Sequence, residues 1–146
     1  MEYKSVEQLA RLARVEAETK PKPEMSQVER LERWASLLEA TPGRRLNTFF
    51  ETEYQLPVAR DAMKPADSPI SVAYADEILR SDGLADDSYG EAKHFFGLSD
   101  HQLHHVLCYC HYGSTVSAGT AARAIRGVAR AYSHTGFFAR VKRIFA

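Results

Sequence analysis

Residues 26–43 read SQVERLERWASLLEATPG, and this stretch decides the kind of fold. Ser26 and Glu29 have the spacing of a capping box, in which the two side chains accept backbone hydrogen bonds at the start of a helix. Pro42 and Gly43 end the pattern, because proline lacks a backbone donor and glycine favours helix ends. Between these signals, apolar residues recur at helical spacing and predict an amphipathic helix with this buried side: Val28, Leu31, Trp34, Ala35 and Leu38.

The same signals recur along the chain and predict an all-α fold. Further helix starts are expected at five serines: Ser5, Ser68, Ser88, Ser99 and Ser117. Glycines are expected to end helices, so one helix should run from Ser68 to Gly83. Residues 46–56 are too short and mixed for periodicity to separate helix from strand, and we favour helix there. The sequence therefore predicts a bundle of six or seven helices with short loops and no convincing strand.

The size and composition of the chain are those of one globular domain. A chain of 146 residues can bury about two-thirds of its unfolded surface without disulfides or a structural metal. The chain has 45% hydrophobic and 26% charged residues. This composition excludes the collagen-like, low-complexity and wholly disordered classes of protein. We predict a single helical domain over residues 1–146, in which 1–19 form a first helix, 20–25 a proline-rich linker and 136–146 an amphipathic tail.

Charge is unevenly distributed along the chain. Residues 1–91 carry 12 Lys and Arg against 18 Asp and Glu, whereas residues 92–146 carry 7 against 1, so the two parts have net charges of −6 and +6. In a compact domain the first explanation is mutual attraction between the two parts, and an anionic partner is the second.

Compartment is inferred from the amino terminus and the cysteines. The first residues lack the basic and apolar regions of a secretory signal, and no apolar run approaches the roughly 18 residues of a membrane span. Cys108 and Cys110 are the two cysteines, and i, i+2 spacing on a helix points their side chains apart, which opposes a disulfide. We expect a cytoplasmic protein with reduced thiols and no membrane span.

Histidine and cysteine are concentrated in residues 101–111, which read HQLHHVLCYCH. We expect one helix from Ser99 to His111. At about 100° per residue, its core side should hold Leu103, Val106, Leu107 and Cys110. The opposite, outward side should hold a stripe of candidate metal ligands: His101, His104, Cys108 and His111.

Imidazole and thiolate are the usual ligands of zinc and related metals, and i, i+4 pairs on a helix can direct two side chains at one ion. One straight helix cannot enclose an ion, so a ligand from elsewhere in the chain or from a second subunit is required. Weaker candidates are His105, together with Glu91 and His94, whose Glu-x-x-His spacing occurs in di-iron bundles. The stripe predicts a zinc or iron site. The plainer interpretation, which we rank first, is a solvated face without a ligand, and pH sensing or partner contact is a third.

The carboxy-terminal part presents two further candidate surfaces. Arg123, Arg126 and Arg130 share one side of the last predicted helix, a basic ridge that can follow a phosphate backbone. The plainer interpretation is pairing with carboxylates of the acidic part. The tail has an apolar side, and we expect it to contact a protein partner or a second copy: Phe137, Phe138, Val141, Ile144 and Phe145.

Motifs of the commonest enzyme classes do not occur in the sequence. There is no phosphate-binding loop, dinucleotide-binding glycine motif, His-Glu-x-x-His or Gly-x-Ser-x-Gly. A binding protein is therefore expected rather than an enzyme. The leading interpretation is a small helical binding or regulatory protein of unknown pathway, with residues 101–111 as its candidate transition-metal site. The alternatives are a nucleic-acid-binding module using the basic helix and a metal-dependent enzyme.

Overall fold

The computed structural model describes the backbone of residues 24–145 and the side chains of residues 24–133. The predicted first helix, residues 1–19, and most of the predicted linker, residues 20–25, lie outside this range. So do the side chains of the interface predicted in the tail, namely Phe137, Phe138, Val141, Ile144 and Phe145.

Eight α-helices and one two-stranded sheet make up the described part of the chain. The helices are α1 (Gln27–Glu39), α2 (Pro57–Asp61), α3 (Pro69–Tyr74), α4 (Glu77–Ser81), α5 (Tyr89–Phe96), α6 (Asp100–Leu107), α7 (Tyr109–Tyr112) and α8 (Ala118–Phe145). The strands are β1 (Arg45–Asn47) and β2 (Thr115–Ser117), and a 3₁₀ turn spans Thr52–Tyr54. The prediction of an all-α fold is confirmed, although two of the predicted helices are each broken into two shorter ones.

Helix α1 forms the centre of the core and packs along α8. Ser26 and Glu29 form the predicted capping box. The Trp34 ring is fully buried, stacks on Phe96 at 4.3 Å between centroids, and donates its indole N–H to the Pro69 carbonyl at 2.8 Å. On α8, mostly small residues let the two helices approach closely: Ala121, Ala122, Ile125 and Ala129.

Start signals in the sequence predicted most of the helices correctly. The hydroxyls of four serines accept the backbone N–H three residues later, as expected: Ser68, Ser88, Ser99 and Ser117. Gly97, at φ 64°, ends α5 in the left-handed conformation that glycine adopts without strain.

The single helix predicted from Ser68 to Gly83 is wrong, because the chain forms α3 and α4 instead. Asp76 starts the second of these helices, since its carboxylate accepts the Leu79 N–H at 3.0 Å. The same carboxylate pairs with Arg33 of α1 at 2.6 Å. This ion pair ties the break between α3 and α4 to the central helix. An internal aspartate with a distant arginine partner thus overrides the helical periodicity.

The helix favoured for residues 46–56 is also wrong, and so is the expectation of no strand. Strands β1 and β2 pair antiparallel, with Leu46 opposite Val116, and both of these side chains are buried. After β1 the chain turns at Glu51, which has φ 56°, into the 3₁₀ turn. Pairing with a segment so distant in sequence leaves no periodic signal within residues 46–56.

Among the described residues, no helix combines the length and the apolar character needed to cross a membrane.

Candidate functional site

The helix predicted from Ser99 to His111 is interrupted at Cys108, which is extended at φ −91° and ψ 145°. The backbone of Phe49 inserts at this point. Its N–H donates to the Leu107 carbonyl at 2.9 Å, and its carbonyl accepts the Tyr109 N–H at 3.1 Å. A continuing helix would have used the Tyr109 N–H for the His105 carbonyl. That carbonyl accepts the Tyr112 hydroxyl instead.

The interruption exchanges the positions predicted for the two cysteines. Cys108 is fully buried and Cys110 is exposed. The prediction of Cys108 on the outward stripe and of Cys110 in the core is therefore wrong, because the 100° spacing does not continue through an extended residue.

Thr52, His104 and Cys108 lie together beneath the interruption, Thr52 and Cys108 fully buried and His104 half-buried, and we call them the buried cluster. Thr52 Oγ1 lies 3.2 Å from His104 Nε2 and 3.0 Å from Cys108 Sγ. A hydroxyl can donate one hydrogen bond and accept others, so Thr52 can satisfy both neighbours. The Tyr89 ring meets the His104 ring edge-on at 6.1 Å between centroids and closes the cluster on another side.

Burial keeps the cluster uncharged. It raises the pKa of the Cys108 thiol to about 12, so the group is a thiol and not a thiolate at neutral pH. Burial also lowers the pKa of His104, which favours the neutral imidazole. Since the thiolate is both the nucleophile and the metal ligand, Cys108 is suited to neither role here.

Asp100, at the start of α6, makes structural contacts that the sequence analysis missed. Its carboxylate accepts the Tyr89 hydroxyl at 3.1 Å and binds Arg60 at 3.3 Å and Lys93 at 3.2 Å. Arg60 belongs to α2, so this carboxylate ties α2 to the start of α6. The only sequence signal was an acidic residue in the first turn of a helix, which is common.

The segment from Phe49 to Arg60 therefore runs antiparallel along α6. It contacts the helix at three points: Phe49 at the interruption, Thr52 at His104, and Arg60 at Asp100. This segment fixes which face of α6 is covered and which remains in solvent.

His101, His105 and His111 form an exposed group, which we call the histidine cluster. His101 Nε2 and His105 Nε2 are 3.2 Å apart, one helical turn from each other. The His111 ring stacks on the His105 ring at 4.3 Å between centroids and an interplanar angle of 24°. His105, predicted only as a weaker candidate, is thus at the centre of the group, whereas His104 is turned inward.

Within the histidine cluster, the surroundings of His105 favour the neutral ring that metal binding needs. The pKa of His105 is lowered, first by burial and then by the neighbouring charges of His111 and His101. A neutral imidazole offers one nitrogen lone pair to a ligand.

The remaining metal candidates lie apart from this cluster. Glu91 accepts the Ala85 N–H at 3.1 Å, and His94 is exposed on α5. Within the described residues, no group of three or more His, Cys, Asp and Glu is arranged around a common point for a metal ion. The helix pair His101 and His105 is therefore the best donor set that this part of the chain offers.

The predicted basic ridge on α8 is partly neutralised. Arg126 binds Glu39 through Nε at 2.6 Å and also binds Glu32, so it joins the basic part of the chain to the acidic part. Arg123 donates to Thr120 at 3.2 Å, and Arg130 is exposed. Of the three arginines, the middle one is already occupied by carboxylates.

Comparison with known proteins gives no family, relative or structural neighbour: no family model, no curated protein and no solved structure matches this chain. Function is therefore argued from the site itself.

Proposed function

We propose that this protein is a small helical binding protein that takes up a transition-metal ion through the Nε2 atoms of His101 and His105. The observation that carries the proposal is their separation of 3.2 Å. In a tetrahedral zinc site with Zn–N bonds of 2.0–2.1 Å, two ligand nitrogens are about 3.4 Å apart. The nitrogen spacing of the metal-free pair is thus within a few tenths of an ångström of that in a zinc site, and the two rings, which meet at 85°, would turn until both lone pairs point at one ion.

The ligand chemistry favours zinc, copper or nickel among the first-row metals. Imidazole suits these ions, whereas carboxylate and water suit magnesium, calcium and manganese. Iron, considered from the sequence, commonly adds a carboxylate, and Glu91 is held away at the Ala85 N–H. We therefore expect zinc to be the simplest test ion.

Metal binding changes which ring nitrogens of His101 and His105 carry a proton. At 3.2 Å the two Nε2 atoms share one N–H···N hydrogen bond. To bind one ion, both must offer lone pairs, so both rings carry their remaining proton on Nδ1. If zinc binds, it takes the place of this hydrogen bond, and the proton of the donor ring moves through solvent from Nε2 to Nδ1.

A nucleic-acid role for the α8 arginines has weaker support, because Arg126 is bound to Glu32 and Glu39. A phosphate would have to displace these carboxylates.

Calorimetric titration of ZnCl₂ into chelator-stripped protein without a histidine tag tests the metal proposal. We expect saturable binding in the wild type and a loss of affinity of at least about tenfold in His101→Ala and in His105→Ala, since even outer-shell changes at metal sites cost 10–100-fold. His94→Ala is the matched control, because His94 is an exposed histidine on another helix. Equal affinities in His94→Ala and His105→Ala, or no saturable binding, would overturn the proposal.

A further inference from the structure

The histidine pair leaves a zinc ion only half coordinated. Structural zinc sites have four protein ligands, and His101 and His105 supply two. His111 stacks face to face on His105, so it does not stand beside the pair as a third convergent ligand. No other group of ligand residues converges here among the described residues. Two coordination positions remain for something outside the described part of this chain.

An exposed apolar surface adjoins the pair. We call it the apolar strip, and its members lie on the segment covering α6 and on α7: Phe50, Tyr54, Leu56, Val58 and Tyr109. Tyr54 is 81% exposed, Leu56 77% and Val58 84%. Large apolar groups exposed together on one side of a small protein mark an interaction surface.

The apolar strip lies beside both ends of α6. The Phe50 and Tyr109 rings pack edge-on at 4.5 Å just after the helix. At its start, Arg60 binds Asp100 at 3.3 Å, which brings α2, the helix that carries Val58, beside it. The helix that carries the histidine pair is therefore flanked by exposed apolar side chains.

We propose that a second copy of this chain supplies the missing ligands, so that His101 and His105 of both copies hold one zinc ion on a two-fold axis. This inference rests on the proposed function. A two-fold interface places the same patch on both partners, so two ligands per copy become four around the axis. The apolar strips of the two copies become buried at the same time.

The test measures mass and zinc content together, by light scattering of the full chain after gel filtration and metal analysis of each peak. In chelator we expect the 16.4 kDa monomer. At half an equivalent of zinc we expect twice that mass with one zinc per two chains. A large zinc excess should restore the monomer, because each pair then binds its own ion.

Variants separate this inference from the metal proposal. His105→Ala should remain monomeric with zinc, and His94→Ala should dimerise as the wild type does. Val58→Asp should still bind zinc but weaken the dimer at least about tenfold, because like charges then face each other across the interface. Saturable zinc binding by a monomer at every ratio overturns the shared site while the proposed function stands. Absence of zinc binding overturns both, and a dimer in chelator that His105→Ala leaves intact overturns the zinc-bridged interface.

Discussion

The buried cluster and the histidine cluster are built from the same two short helices, yet their chemistry is opposite. In the buried cluster, Thr52 contacts both His104 and Cys108; Cys108 is fully buried as a neutral thiol, and partial burial of His104 favours its neutral ring. In the histidine cluster, the rings contact mainly one another and keep exposed nitrogen atoms. The comparison teaches that ligand chemistry depends on exposed lone pairs rather than on residue type. Four predictions test this difference.

The largest expected difference is in thiol reactivity, between Cys108 in the buried cluster and the exposed Cys110 on α7. In native protein we expect Cys110 to react rapidly with a thiol reagent and Cys108 to react more than about 10³-fold more slowly, because a buried neutral thiol is reached only through opening of the structure. Labelling with Ellman's reagent measures both rates. Cys110→Ser should leave no rapid thiol, and guanidinium should expose both. A rapid second thiol in native protein would place Cys108 outside the core.

Substitution of His104 should affect stability more than substitution of His105, and substitution of His105 should affect metal affinity more than substitution of His104. His104→Ala removes the contacts with Thr52 and Tyr89 and should lower the free energy of unfolding by about 1–2 kcal/mol. His105→Ala, at an exposed position, should change it by less than about 0.5 kcal/mol. Urea unfolding in chelator measures both. Zinc affinity should show the reverse order, and equal effects in either measurement would contradict the separation of the clusters.

Thr52→Val should weaken the buried cluster without affecting the histidine cluster. The substitution keeps the shape but leaves His104 and Cys108 without their shared partner, which should cost about 1 kcal/mol of stability. Thr41→Val, at an exposed threonine after α1, is the matched control. Zinc affinity should be the same in all three proteins. A stability loss as large in Thr41→Val would show that the Thr52 contacts contribute nothing.

Acid should destabilise the metal-free protein through His104. Burial lowers its folded-state pKa below the ordinary value of 6.5, so the unfolded chain binds more protons as the pH falls below that value. This contribution to stability is complete above about pH 6.5 and is lost below it, by at most about 1.4 kcal/mol per pH unit. Unfolding in urea at pH 7.5 and 5.5 measures the loss, which should be smaller in His104→Gln. An equal loss in the variant would assign the dependence to other groups.

The sequence predicted those features that depend on neighbouring residues. Ser26, Ser68, Ser88 and Ser99 act through a backbone N–H three residues away, so a short window contains the whole signal. The concentration of candidate ligands in residues 101–111 was visible for the same reason.

The sequence could not predict which residues of 99–111 are buried and which are exposed, because this depends on Phe49. Its backbone interrupts the helix at Cys108 from far away in sequence, and residues 100–112 contain no proline or glycine to mark the point. Without that interruption, the periodicity of α6 extends to Cys110 and His111 and assigns the wrong faces. The pairing of Leu46 with Val116 was missed for the same reason.

The pairing of β1 with β2 orders events in time as the chain folds. It closes a loop of roughly 70 residues, at a chain-entropy cost of about 4 kcal/mol, and both clusters lie inside that loop. Contacts between distant residues form later than local ones. Cys108 is covered only when Phe49 arrives at the interruption. The inner thiol of a newly made chain is therefore protected from oxidants only once this loop has closed.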